Sequence, residues 1–110
     1  MGLPSSGTIS VDVEGVRSSD AKGALRWQLR WNEIIRICAY KTDAFVYDII
    51  CMEFGVEGAT AHFCCDEEQK GWKELKAEIR RRYDLKVKAW WSTVAFPAFA
   101  ENFTVIWERS

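Results

Sequence analysis

The fold is decided by the stretch Trp31-Asn-Glu-Ile-Ile-Arg-Ile-Cys-Ala-Tyr-Lys-Thr-Asp-Ala-Phe-Val-Tyr-Asp-Ile-Ile-Cys-Met-Glu-Phe54. Two strand-like runs flank the polar break Lys41-Thr42-Asp43, and this pattern is typical of a β-hairpin. With the turn at the last two residues of the break, Ile35 faces Ile50. We expect this register because a slip of one residue would bring Arg36 onto the apolar face of the hairpin.

Further strand-like runs lie on both sides of the hairpin. They alternate apolar and polar residues or are rich in apolar and β-branched residues, as strands are. These runs are Ile9 to Glu14, Ala24 to Trp31, Ala59 to Cys65 and Phe103 to Trp107. A glycine turn at Gly15 follows the first run, and residues 18–23 are expected to form a loop.

One helix is expected between the last two of these strands. Asp66 has the position of an N-cap, with Gln69 completing a capping box, so we expect a helix over residues 67–83. One apolar stripe at helical spacing would face the sheet; it consists of Trp72, Leu75, Ile79 and Tyr83. Gly71 would lie inside this helix, where close packing against the sheet would explain it.

These elements predict an α+β fold. We expect one domain over residues 1–110, built as an antiparallel sheet or partly open β-barrel that one main helix covers. Residues 1–8 would form a loose tail, 9–66 the antiparallel strands, 67–83 the helix, and 84–110 a C-terminal aromatic segment with the last strand. Apolar residues make up 48% of the chain, which suits a packed core.

Composition argues against several function classes. The chain carries 15 Lys and Arg against 16 Asp and Glu, so its net charge of −1 exerts no general attraction on nucleic acid, and no nucleic-acid partner is expected. No apolar run reaches the roughly 18 residues that a membrane-spanning helix needs. The start Met1 to Gly7 lacks the basic and apolar pattern of a signal peptide, so we predict a cytoplasmic protein.

The four cysteines and the single histidine form no evident metal or nucleophile motif. Cys38, Cys51, Cys64 and Cys65 contain no Cys-x-x-Cys pair, so we expect reduced, buried thiols, with no metal and no cofactor. The expected register separates Cys38 and Cys51 by roughly 13 Å, too far for a disulfide. His62 shares a strand face with Cys64, yet the two lie about 6.5 Å apart, beyond hydrogen-bond reach.

Aromatic residues crowd into one short segment after the helix. Two interpretations remain open: these rings close the core, or they form an exposed patch that recognises a protein partner or a second copy of the chain. The candidate binding residues in this segment are Trp90, Trp91, Pro97 and Phe99.

Charged candidates lie at the end of the helix and in the hairpin. Arg81 and Arg82 belong to a basic cluster with Arg80, Lys86 and Lys88, which either caps the helix or attracts an acidic or phosphate-bearing partner. Asp48 is expected on the apolar face of the hairpin. A carboxylate there either finds hydrogen-bond donors in the C-terminal segment or acts as a functional residue.

The chain resembles the bacterial branch of the pleckstrin-homology-like domains. The shared features are a first strand that ends in the Gly15 turn, a Trp-x-Glu-Ile step at Trp31 to Ile34, an antiparallel meander and a helix. It is similar also to small bacterial proteins with the segment Ala39 to Ile50, a Gly71-Trp72 pair and the run Pro97 to Val105. The resemblance implies a sheet covered by a helix and a bacterial cytoplasmic setting, and it brings no activity with it.

Three functions are therefore open. The first is a non-catalytic interaction domain that binds a protein or itself through the aromatic segment and the basic helix end; a toxin-neutralising immunity protein is one such case. The second is a binder of a phosphate-bearing ligand or lipid headgroup, which uses the basic cluster. The third is a small enzyme centred on Asp48 or on Cys64 and Cys65. We expect a binder rather than an enzyme.

Overall fold

The alternating runs of the sequence form two antiparallel sheets. A computed structural model describes residues 7–43, 48–61, 63–95 and 103–109. The first sheet has the order β1-β2-β3 and the second the order β6-β5-β4-β7. The strands are β1 Thr8–Val11, β2 Gly15–Ser19, β3 Leu25–Arg30, β4 Ile34–Asp43, β5 Asp48–Val56, β6 Phe63–Asp66 and β7 Thr104–Glu108. The helices are α1 Trp72–Arg82 and α2 Trp90–Ala95, and a single 3-10 turn spans Trp31–Glu33.

The α+β class, the antiparallel strands, the main helix and the C-terminal strand are confirmed, but the strands divide into two sheets where we expected one sheet or a partly open β-barrel. Within the described residues, the strands form two separate sheets and no closed barrel. The predicted loop at 18–23 overlooked β2, which begins at Gly15 instead of turning there. A Cβ on Gly15 would lie 1.9 Å from the Leu29 carbonyl oxygen, so glycine permits the close approach of β2 to β3.

The β4–β5 hairpin is confirmed, but its predicted turn is wrong. β4 continues through Asp43, which pairs with Asp48, so Ile50 faces Lys41 and not Ile35. The true register differs from the expected one by six residues, an even number, so Ile37 and Ile50 still share the core face. Ile35 does not, because a bulge between Ile34 and Arg36 turns Ile34 into the core instead.

Helix α1 begins at Trp72, five residues later than we expected. Asp66 and Gln69 do exchange local hydrogen bonds, since the Asp66 N–H donates to Gln69 Oε1 at 2.9 Å, but this pair shapes a turn that precedes the helix. Gly71 is the N-cap and has a φ of +93°, a left-handed conformation that favours glycine. A Cβ there would lie 2.0 Å from the Ile9 carbonyl oxygen, so this glycine also lets α1 start close against β1.

One cluster of buried side chains joins the two sheets and both helices. The first sheet contributes Val16 and Leu29, the second Ile37, Met52 and Phe54, and α1 closes the cluster with its apolar stripe. Trp72, Leu75 and Ile79 of that stripe are buried, and Tyr83 is half-buried. After α1 the chain buries Leu85 and then forms α2, where we expected a short strand or helical turn over 85–91.

Candidate functional site

A groove lies between the outer side of α1 and the start of α2. Its volume is about 440 Å³, within the range of ligand-binding clefts. Its floor is mostly apolar and consists of Ala77, Leu85, Trp90 and Trp91. Among the residues that the structure describes, its charged lining residues are all cations: Lys76, Arg80, Arg81 and Lys88. We call this surface the Trp91 groove.

Helical periodicity explains the α1 side of the groove. Since Leu75 and Ile79 point into the core, the residues that follow each of them, Lys76 and Arg80, lie four apart on the solvent side. The small side chain of Ala77 leaves space between these long ones. α1 therefore presents an ordered row of positive charge beside an apolar depression.

The two tryptophans on the α2 side of the groove differ in burial. Trp90 is 6% exposed and belongs to the core, whereas Trp91 is 37% exposed. In the described part of the aromatic segment, Trp90 therefore closes the core and Trp91 is exposed, and the recognition of a partner stays a prediction. The ammonium of Lys76 lies 4.1 Å from the ring centroid of Trp91, a cation–π contact that joins α1 to α2.

Three tryptophan rings pack together beneath the groove. The centroid of Trp72 lies 6.5 Å from those of Trp90 and Trp91, and the latter two are 5.9 Å apart. The indole Nε1 of Trp72 is buried, and it makes no hydrogen bond in the part of the chain that the structure describes. By contrast, the Trp27 indole donates to the Cys64 carbonyl oxygen at 3.2 Å, and the Trp31 indole donates to that of Asp12 at 2.8 Å.

Two of the four groove cations have acidic partners outside the groove. Arg81 donates to both carboxylate oxygens of Glu78, at 2.7 and 2.8 Å, and Lys88 donates to Asp84 at 2.8 Å. Hydrogen bonds from Arg81 and Arg82 lower the pKa of Glu78, and the hydrogen bond from Lys88 lowers that of Asp84. These exposed pairs add little stability, and their cations remain at the rim of the groove.

The structure brings together three of the predicted binding residues, Trp90, Trp91 and Arg81. Arg82 lies on another side of α1, where its guanidinium sits 4.6 Å from the Trp31 ring centroid and its Nε donates to Glu78. It lines a second groove of about 350 Å³, which includes the carboxylate of Glu14 and therefore carries both signs of charge. Pro97 and Phe99 lie outside the described residues.

Asp48 lies far along the chain from these residues and in a different setting. Its side chain is 14% exposed, and its Oδ2 lies 3.4 Å from the Nζ of Lys41, whose own side chain is 3% exposed. Lys41 also donates to the Ala95 carbonyl oxygen at 2.9 Å, at the last residue of α2. Asp48 therefore belongs to a buried ion pair that fastens α2 to the sheet. The hydrogen bonds that we expected between Asp48 and the C-terminal segment stay a prediction; its cationic partner, Lys41, contacts that segment at Ala95.

The cysteines are free thiols, and their environment disfavours the thiolate. Cys38, Cys51 and Cys65 are buried, and only Cys64 is exposed. Burial raises the pKa of all four thiols, that of Cys51 to about 11. Since the thiolate is the reactive form, none of these sulfurs has the properties of an activated nucleophile. His62 lies outside the described residues, and among the described ones no group of His, Cys, Asp and Glu side chains could hold a metal ion.

Sequence reasoning missed three residues of the Trp91 groove, namely Lys76, Ala77 and Leu85. The i, i+4 spacing of Lys76 and Arg80 on the polar side of a predicted helix was a usable signal for the first. No pattern in the sequence indicates that the chain after α1 folds back so that Trp91 meets Lys76. The groove is therefore a tertiary feature that rests on the path of residues 83–90.

Comparison with known proteins supplies no further guide. No family model, curated protein or solved structure matches the chain. Neither α1 nor α2, the α-helices in the described ranges, has the length and apolar character needed to cross a membrane.

Proposed function

We propose that this chain is a non-catalytic protein-interaction module that binds an acidic segment of a partner protein in the Trp91 groove. The observation that carries the proposal is the joint lining of the groove by an exposed tryptophan and four cations. Tryptophan and arginine are the residues most enriched among those that dominate binding energy at protein interfaces. Complementary charge on the partner would speed encounter and fix its orientation.

A protein segment suits this groove better than a bare phosphate group does. The floor offers Leu85, Trp90 and Trp91, which gain from apolar contact, and a small anion would leave these surfaces uncovered. Two of the cations already share their charge with Glu78 and Asp84. An acidic segment with one aromatic or aliphatic residue would satisfy both the floor and the rim.

The fold and setting of the module complete the proposal. Two antiparallel sheets and one main helix are compatible with the pleckstrin-homology-like arrangement that the sequence resembles, and we place the chain near that group. We also propose a cytoplasmic location, which suits four free thiols with raised pKa values.

Selection from a random peptide library displayed on phage tests this proposal, because it requires no candidate partner to be chosen in advance. We expect enriched peptides with Asp and Glu around one aromatic or aliphatic residue. Their binding should weaken with rising salt, because the rim contacts are exposed charge pairs. The Trp91→Ala variant and the Lys76→Glu/Arg80→Glu variant should each lose at least about tenfold in affinity, since each removes part of the groove.

A matched control is Lys22→Glu, which reverses a charge in the exposed β2–β3 turn and should leave binding unchanged. Enrichment of neutral or basic peptides, or equal binding by Trp91→Ala, would contradict the proposal. Salt-sensitive binding to anionic vesicles without any selected peptide would indicate the lipid-headgroup function instead. Concentration-dependent dimerisation that Trp91→Ala abolishes would assign the groove to a second copy of the chain.

A further inference from the structure

The Trp72 indole is an exception among the tryptophans whose hydrogen bonding the structure defines. Trp72 is 6% exposed, and its Nε1 has no acceptor in the part of the chain that the structure describes. The indoles of Trp27 and Trp31 both reach a backbone carbonyl. A buried donor without an acceptor costs stability, so such a group in a native structure calls for a reason.

The position of Trp72 supplies a reason. Its ring packs against Trp90 and Trp91, the two rings that line the Trp91 groove, so it lies immediately behind the binding surface. Trp91 is the most exposed of the three rings, and the Lys76 ammonium lies 4.1 Å from its centroid. Because Trp72 does not itself line the groove, a ligand there would reach it only if the Trp91 side chain rotated aside.

We propose that the indole N–H of Trp72 is a hydrogen-bond donor reserved for a carboxylate of the bound acidic segment, which reaches it when Trp91 moves aside. This inference rests on the proposed function and adds to it a residue that selects for an acidic ligand. Asp or Glu would bring the acceptor, and the rim cations Lys76 and Arg80 would balance its charge. A ligand without an acceptor at this point would leave the donor unpaired and would bind more weakly.

NMR spectroscopy of the indole N–H groups tests the inference on the intact chain. The probe is a synthetic peptide of glutamates around one phenylalanine, titrated into the ¹⁵N-labelled protein. The Trp72 indole proton should shift downfield and exchange more slowly with water as it gains an acceptor. The indole signals of Trp27 and Trp31 serve as internal controls, because both already have acceptors, and they should not move.

Two phenylalanine variants separate the hydrogen bond from ring packing. Trp72→Phe and Trp31→Phe each shrink a ring of similar burial, but only Trp31→Phe removes an existing hydrogen bond. The thermal midpoint of Trp31→Phe should therefore fall below that of Trp72→Phe. Trp72→Phe should in addition lose about tenfold or more in affinity for the peptide, the effect of one hydrogen bond to a charged group.

The outcomes distinguish this inference from the function on which it rests. Binding that Trp91→Ala weakens, with a static Trp72 indole signal and full affinity in Trp72→Phe, overturns the reserved donor and keeps the interaction module. Absence of any peptide binding in both the titration and the phage selection overturns the module and the donor together.

Discussion

The buried pair of Lys41 and Asp48 allows a quantitative prediction about what holds α2 in place. We consider Lys41→Met, which keeps an unbranched apolar side chain the length of the lysine stem and removes the ammonium. This change leaves the Asp48 carboxylate, only 14% exposed, without its cation at 3.4 Å. It also leaves the Ala95 carbonyl oxygen without the donor at 2.9 Å.

The expected loss follows from these two contacts. Unit charges 3.4 Å apart attract by about 5 kcal/mol at an effective dielectric constant of about 20. When Lys41 is replaced, water that reaches the partly exposed Asp48 offsets part of this lost attraction. A hydrogen bond from a charged group contributes about 1.5–3 kcal/mol. Measured losses for breaking one partner of a buried pair are about 3–5 kcal/mol, and we expect Lys41→Met to fall in that range.

Urea denaturation of four proteins measures the prediction: wild type, Lys41→Met, Asp48→Leu and the double variant. The free energy of unfolding should fall by about 3–5 kcal/mol in each single variant, while the double variant should recover most of the loss because it removes both buried charges together. The m-value should stay constant if the native fold persists. Losses below about 1 kcal/mol that add in the double variant would refute the reasoning, because they would mean that water already solvates both charges.

Two further predictions concern charge and thiol chemistry. Because hydrogen bonds from Arg81 and Arg82 lower the pKa of Glu78, its carboxylate stabilises the fold above its unfolded pKa, and this contribution is lost as pH falls through the lowered value. Glu78→Gln should therefore lower the thermal midpoint at pH 7 by more than it does at pH 3. An equal decrease at the two pH values would contradict a stabilising role of the ionised carboxylate. A mild alkylator at neutral pH should label Cys64 first, since it is the most exposed of the four thiols, and slowly, since partial burial of its sulfur raises its pKa. Rapid labelling of any one thiol, read by mass spectrometry, would favour the enzyme hypothesis instead.

Local periodicity was enough to predict the class of the fold and most of its strands. It failed at the hairpin turn because Lys41, Thr42 and Asp43 look like turn residues, while Lys41 is in fact a core-facing strand residue neutralised by Asp48. Cross-strand charge pairs of this kind are set by the register itself, so they cannot be used to find it. The predicted start of the helix was too early for a related reason. Gln69 is buried and donates to the hydroxyl of Ser18, a contact between residues distant in the sequence, instead of capping the helix.

The residue types of the candidate site could be predicted from the sequence, but their arrangement in three dimensions could not. The aromatic and basic residues near the end of α1 stood out in the sequence, and Arg81, Trp90 and Trp91 do meet in one groove. Adjacent residues nevertheless separate, because one helical step rotates the side chain by about 100°, and this sends Arg82 to the Trp31 ring. The division of Trp90 into the core and Trp91 into the groove depends on how α2 docks, which no local rule specifies.

The position of β7 has a consequence for how the chain is made. β4 lies between β5 and β7 in the second sheet, and its pairing joins Arg36 to Glu108 across most of the polypeptide. During synthesis, the β4 side that β7 will cover therefore stays open until the ribosome has released residues 104–108. A nascent chain stalled before that point would offer an unpaired edge to other nascent chains, and a chaperone that shields it would raise the yield of native protein.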